Sequence, residues 1–137
     1  MTYAKTGGVI SKQPEAKAYQ IFDQKTLHLL EPRYTTGVPI VADTIRQLGE
    51  KIGVDVNAFC KTVEEFNAAC PAGEFSAFKL DGLSTGDKLE IKKSNWAQRI
   101  DQGPFVCYPV TVGITFTYGG VRVNEKAEVL NNEGLTM

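Results

Sequence analysis

The stretch Asp43-Thr-Ile-Arg-Gln-Leu-Gly-Glu-Lys-Ile-Gly-Val-Asp-Val-Asn-Ala-Phe-Cys-Lys-Thr-Val-Glu-Glu-Phe-Asn-Ala-Ala-Cys70 decides how this chain folds. It reads as two helices joined by one turn. Thr44 and Gln47 have the spacing of a capping box, in which a hydroxyl takes up a free N–H of the first turn. Ile45, Leu48 and Ile52 then fall on one face, and Gly53 can close the helix in the left-handed conformation. Asp55 opens the second and longest helix. Its Val56, Phe59, Cys60, Val63, Phe66 and Cys70 recur at three- and four-residue steps, with Lys61, Glu64 and Glu65 opposite, and Pro71 and Gly73 stop it.

Upstream of this pair, 16–22 alternates as a strand, with Ala18, Gln20 and Phe22 against Tyr19 and Ile21. Asp23 is placed to cap a helical turn over Gln24-Lys-Thr-Leu-His-Leu-Leu30, which Pro32 ends. Gly37-Val-Pro39 is a loop. Residues 1–16, with Gly7-Gly8 and Pro14, read as irregular. Downstream, 71–104 is rich in glycine and loop-like, a length that often shields or lines a site. Within it Lys88-Leu-Glu-Ile91 reads as a short strand, and Trp96 as an anchor by packing.

From Phe105 the period changes to two. Val110, Val112, Ile114, Phe116 and Tyr118 alternate with Thr111, Gly113, Thr115 and Thr117, so the pattern predicts a strand to Tyr118 with one apolar and one hydroxyl face. Gly119-Gly120 breaks it. Val121-Arg-Val123 and Glu128-Val-Leu130, around a turn at Asn124-Glu-Lys-Ala127, read as a hairpin, with a further turn at Asn131-Asn-Glu-Gly134. The fold class is therefore α+β, with helices packed on an antiparallel sheet.

A length of 137 residues suits one domain with a real core, and 42% hydrophobic content excludes disorder throughout. The formal charge of −1 excludes a nucleic-acid binder that works through excess lysine and arginine. No apolar run is long enough to span a membrane, and the start has no apolar signal core, so the expected location is the cytoplasm. Cys60 and Cys70 share a helix at about 15 Å, too far for a disulfide, and no two cysteines have metal-ligand spacing.

Chemistry has few places to sit. There is no GxGxxG, GxSxG, HExxH or Walker loop. His28, the sole histidine, stands in an apolar turn without a partner motif and reads as structural. Arg33, Arg46, Arg99 and Arg122 can each clamp a carboxylate, but none stands in a motif that says so. The strand ending in Gly119-Gly120 is the best local candidate, because paired glycines let a backbone approach a flat ligand. On spacing alone a plain turn beside an outward threonine face explains it as well.

Three segments in order resemble one family. The helix pair of 43–70, then Lys93-Ser-Asn-Trp-Ala97 with Pro104-Phe-Val-Cys-Tyr-Pro109, then Gly113-Ile-Thr-Phe-Thr-Tyr-Gly-Gly-Val-Arg-Val123, are similar to the capping domain and returning strand of FAD-dependent fumarate reductase-like flavoproteins. Asp81-Gly-Leu83, Ser94-Asn-Trp96, Tyr3-Ala-Lys5 and Gln20-Ile-Phe-Asp-Gln-Lys25 resemble the tricarballylate dehydrogenase branch. The resemblance implies a capping (substrate) domain over 1–110 and a strand and hairpin over 111–137 that would join the FAD domain. It implies Thr115, Phe116, Thr117 and Tyr118 as substrate-side positions and Gly119 and Gly120 as positions near the flavin, with no catalytic residue and no metal site.

The same resemblance implies that the FAD fingerprint and the proton-transferring arginine would lie before Met1, and a second substrate arginine beyond Met137. The partners it implies are the FAD-binding domain and a small polycarboxylate, with FAD in the parent enzyme and none expected in the isolated chain, which would not catalyse alone. An uncovered face would favour a homodimer. Phe116 stands where fumarate reductases of the family carry a substrate-binding histidine, which suits a carboxylate other than fumarate. The other reading is a stand-alone binding or interaction module from a split or truncated gene.

Overall fold

The computed structural model describes residues 3–114 and 119–137. The chain divides into two compact units, one of Lys17–Val110 and one of Met1–Ala16 with Thr111–Met137.

The larger unit is built on a three-stranded sheet. Its strands are β1 (Lys17–Phe22), β2 (Ile40–Ala42) and β3 (Phe105–Thr111), in the order β1-β3-β2. β2 runs antiparallel to β3, with Ile40 opposite Cys107 and Ala42 opposite Phe105. Ala42, Phe105 and Cys107 present to one core, which Leu48 completes at zero exposure. Leu48 comes from a helix, α2 (Ile45–Ile52), so this helix is what covers the sheet. Burying a leucine fully contributes about 1.5–3 kcal/mol, which makes Leu48 the centre of the contact between the layers.

The ends of α2 are set by the residues expected. The Gln47 N–H donates to Thr44 Oγ1 at 3.1 Å, and Gly53 closes the helix at φ 73°. In the next helix, α3 (Val56–Ala69), the Asn57 and Ala58 N–H groups both donate to Asp55 Oδ1 at 3.0 Å. Gly49 lets the two helices meet: a Cβ there would lie 2.9 Å from Cδ1 of the Phe59 ring. Asn67 of α3 mimics a strand, accepting from the Ile100 N–H at 2.7 Å and donating to the Ile100 carbonyl at 2.9 Å.

Several expectations are corrected here. The turn after β1 is shorter than expected, a 3-10 turn over Leu27–Leu29 with Thr26 as its N-cap, while Asp23 caps the bend before it, its Oδ1 accepting from the Lys25 N–H at 3.0 Å. Lys88-Leu-Glu-Ile91 forms no strand: Ile91 is 68% exposed, and no described segment pairs with it, so its alternation has no ladder to join. The predicted strand to Tyr118 ends at Thr111, and 112–114 lie in no strand. β2 spans only three residues and pairs with 105–107, so the sheet has run out of partner on that side. Thr115, Phe116, Thr117 and Tyr118 lie outside the described residues.

The smaller unit also differs from expectation at its start. Residues 3–10 form a helix, α1 (Tyr3–Ile10), where irregular chain is expected. Its end is tied locally, by the Ser11 N–H to the Gly7 carbonyl (2.9 Å) and Ser11 Oγ to the Gly8 carbonyl (3.0 Å). Those bonds need no apolar stripe, so the sequence shows no periodicity. The hairpin is as read: β4 (Arg122–Val123) pairs antiparallel with β5 (Val129–Leu130), and Leu130 bridges onward to Thr136.

Both turns of this meander use one device. Asn124 Oδ1 accepts from the N–H groups of Lys126 and Glu128, at 2.9 and 3.1 Å. Asn131 Oδ1 accepts from Glu133 and Leu135, both at 2.9 Å. The fourth residue of each turn is left-handed, Ala127 at φ 61° and Gly134 at φ 83°.

Candidate functional site

Gly119 and Gly120 are exposed at φ 158° and 156°, a backbone conformation that L side chains rarely adopt, and among the described residues nothing lies within 4 Å of where a Cβ would stand on either. Their backbone is thus open to a flat ligand. The positive φ by itself calls for glycine at both positions. The four substrate-side positions that precede them are outside the described residues, so the structure describes only the glycine half of the sequence-read site.

The other candidates stand apart from it in role. His28 is exposed on the turn Leu27–Leu29. Arg33 pairs with Glu31 at 2.6 Å, Arg99 with Asp101 at 3.2 Å, and Arg46 reaches Asn57 Oδ1 at 3.5 Å, all on exposed side chains. Arg122 is exposed on β4. Among the described residues no group of three or more His, Cys, Asp or Glu side chains can hold a metal ion. No described helix is long and apolar enough to cross a membrane.

Three charged or polar hubs escape the sequence reading. The first is Asp23, read as a cap but only 2% exposed. Its Oδ1 accepts from the Lys25 N–H (3.0 Å), and its Oδ2 from the N–H groups of Asp101 (3.1 Å) and Gln102 (3.3 Å). Lys25 Nζ meets Asp23 Oδ2 at 2.7 Å and also pairs with Asp101. Burial alone would lower the Lys25 ammonium, but its bonds and charge attraction to Asp101 and Asp23 hold it above the ordinary lysine value. Asp23 therefore ties the end of β1 to the segment that leads into β3.

The second hub organises the long loop. Asp81 accepts from the N–H groups of Trp96 (2.9 Å), Leu83 (3.0 Å) and Ser76 (3.3 Å). Desolvation works against its charge, yet those three bonds keep its carboxyl below the usual carboxylate range. Trp96 anchors the loop, though by hydrogen bonds more than by packing: it stays 37% exposed, and its indole N–H donates to the carbonyls of Ser76 (2.8 Å) and Lys79 (2.9 Å). The third hub is Thr85, 1% exposed, whose Oγ1 accepts from the Lys93 N–H at 2.9 Å. Each hub includes a bond that reaches far along the chain, 78 and 79 positions at Asp23, 15 at Asp81 and 8 at Thr85, and no local spacing announces those.

The three cysteines are free. Cys107 is fully buried, and burial pushes its thiol up to about 11. Burial chiefly raises Cys70 as well, against the opposing charges of Lys93 and Arg99. Cys60 is half-buried and lines an open cleft of about 430 Å³ between α2 and α3, with Val63 and Phe105 at its floor.

No protein-family model matches the chain. Curated proteins do. The chain is 29% identical over 133 residues to a fumarate reductase (cytochrome) of Shewanella frigidimarina, covering 95% of itself and 21% of that protein. It is 30% identical over 130 residues to a 4-oxocyclohex-2-ene-1-carboxylate 5-dehydrogenase of Sinomonas cyclohexanicum, covering 83% of itself and 22% of that protein. Among solved structures, the open conformation of a flavocytochrome c3 fumarate reductase matches with a TM-score of 0.68 and 25% identity, over 99% of this chain and 22% of that one. The fold is thus a module found inside much longer oxidoreductases. The chain is a homologue of the fumarate reductase-like flavoproteins, and it spans about a fifth of the length of these relatives.

Proposed function

We propose that this chain is the capping (substrate) domain, over 1–110, and the returning strand and hairpin, over 111–137, of an FAD-dependent oxidoreductase. The observation that carries the reading is the flavocytochrome match, which takes in 99% of this chain and only 22% of the larger one. A second observation supports it. Among the described residues of 1–16 and 111–137 no side chain is buried, while Val112, Ile114, Val121, Val123, Leu135 and Met137 are exposed. A segment with so much uncovered apolar surface and no core of its own suits a part whose cover is another domain.

When bound, FAD supplies the hydride chemistry. This chain's contribution would be an open glycine backbone beside the ring at Gly119 and Gly120, and substrate-side groups at Thr115, Phe116, Thr117 and Tyr118. The resemblance puts the FAD fingerprint outside this chain, so the chain alone is expected neither to hold FAD nor to catalyse. The substrate of the parent would be a polycarboxylate such as tricarballylate, with oxidation or reduction at a carbon–carbon bond next to a carboxylate. Phe116 supports a departure from fumarate. Asp81, Asn95 and Trp96, which carry part of the resemblance, hold the loop together and so support kinship more than substrate choice.

The test is optical. The purified chain mixed with FAD and desalted is expected to show no flavin absorbance; a yellow protein near a 1:1 ratio would overturn the claim that it cannot hold the cofactor. The same chain at high concentration is expected to dimerise through its uncovered apolar surface, and a strictly monomeric species counts against that part. Joined to an FAD-binding domain, the enzyme is expected to turn over tricarballylate in preference to fumarate, and the reverse preference would refute the substrate assignment.

A further inference from the structure

We draw no further inference here: the strongest candidate, the open cleft that the start of α2, one face of α3 and the segment 100–105 form around Cys60, has an apolar floor and a rim of both charge signs, and nothing in the structure shows what fills it.

Discussion

Replacing Asp23 by alanine is expected to cost about 3 kcal/mol of the larger unit's stability. The figure follows from what the carboxylate holds. Three backbone N–H groups, of Lys25, Asp101 and Gln102, donate to it, and Lys25 Nζ pairs with it at 2.7 Å, all at a side chain 2% exposed. A buried donor left without its acceptor costs roughly 1–3 kcal/mol. Asp101 and Gln102 are exposed residues, so water can reach part of what is lost, and the low end applies to each. Lys25 keeps Asp101 as a partner, so little is added for its charge. Asp23→Asn retains the shape and one carbonyl oxygen and is expected to cost less, about 1–2 kcal/mol. Urea unfolding followed by Trp96, the sole tryptophan, reads the larger unit directly. At a slope of about 1–3 kcal/mol/M, a 3 kcal/mol loss lowers the midpoint by at least about 1 M. A shift below about 0.3 M for Asp23→Ala, or an asparagine variant as weak as the alanine one, would refute the reasoning.

Three smaller tests address other parts of the chain. Ala127 pays for a left-handed backbone at φ 61°, so Ala127→Gly is expected to stabilise its turn by roughly 0.5–1 kcal/mol. Amide exchange at Asn124 and Glu128, the two groups the turn joins, is then expected to slow, and unchanged or faster exchange argues against a strained turn. Asp81 has a folded pKa below its unfolded one, so its contribution is complete above the ordinary carboxylate value of about 3.9 and is lost as pH falls through the folded value. The acid-side fall in the urea midpoint is expected to be shallower in Asp81→Asn; parallel curves would remove Asp81 from that linkage. An aromatic disulfide reagent at about pH 8 is expected to modify Cys60 in the native chain and Cys107 only on unfolding, because Cys107 is buried and its thiol lies at about 11. Equal native rates would contradict the core assignment.

What the sequence announces, it announces locally. Thr44, Gly53 and Asp55 act within four residues of themselves, so both helices of the pair could be bounded by inspection. The Asn124 and Asn131 turns are legible for the same reason. Asp23 is the counterexample. Its Oδ1 takes the Lys25 N–H two residues on, as a cap does, but nothing nearby announces that Oδ2 takes the N–H of Asp101, 78 positions away. Lys88–Ile91 fails for the converse reason: its alternation is genuine, but no described strand lies beside it to accept the pairing. Alternation predicts what a strand would bury, not whether a partner exists.

That distinction bears most on 110–118. β3 carries the period-two pattern as far as Thr111 and then leaves Ile114 91% exposed, although the alternation continues unbroken to Tyr118. A run of β-branched and aromatic residues is favourable in a strand because the strand packs a pleated, half-buried surface. Inside this chain the surface that would reward Val112 and Ile114 is absent among the described residues. That exposure is accounted for if the continuation pairs and packs against another domain. On that reading, supplying the FAD-binding domain would bury Ile114 and protect the amides of 112–114 from exchange. Ile114→Ser would then weaken domain association while leaving the stability of the isolated chain, its hairpin included, unchanged. If Ile114→Ser instead destabilised the isolated chain as a buried residue does, the unpaired continuation would be serving this fold and not another.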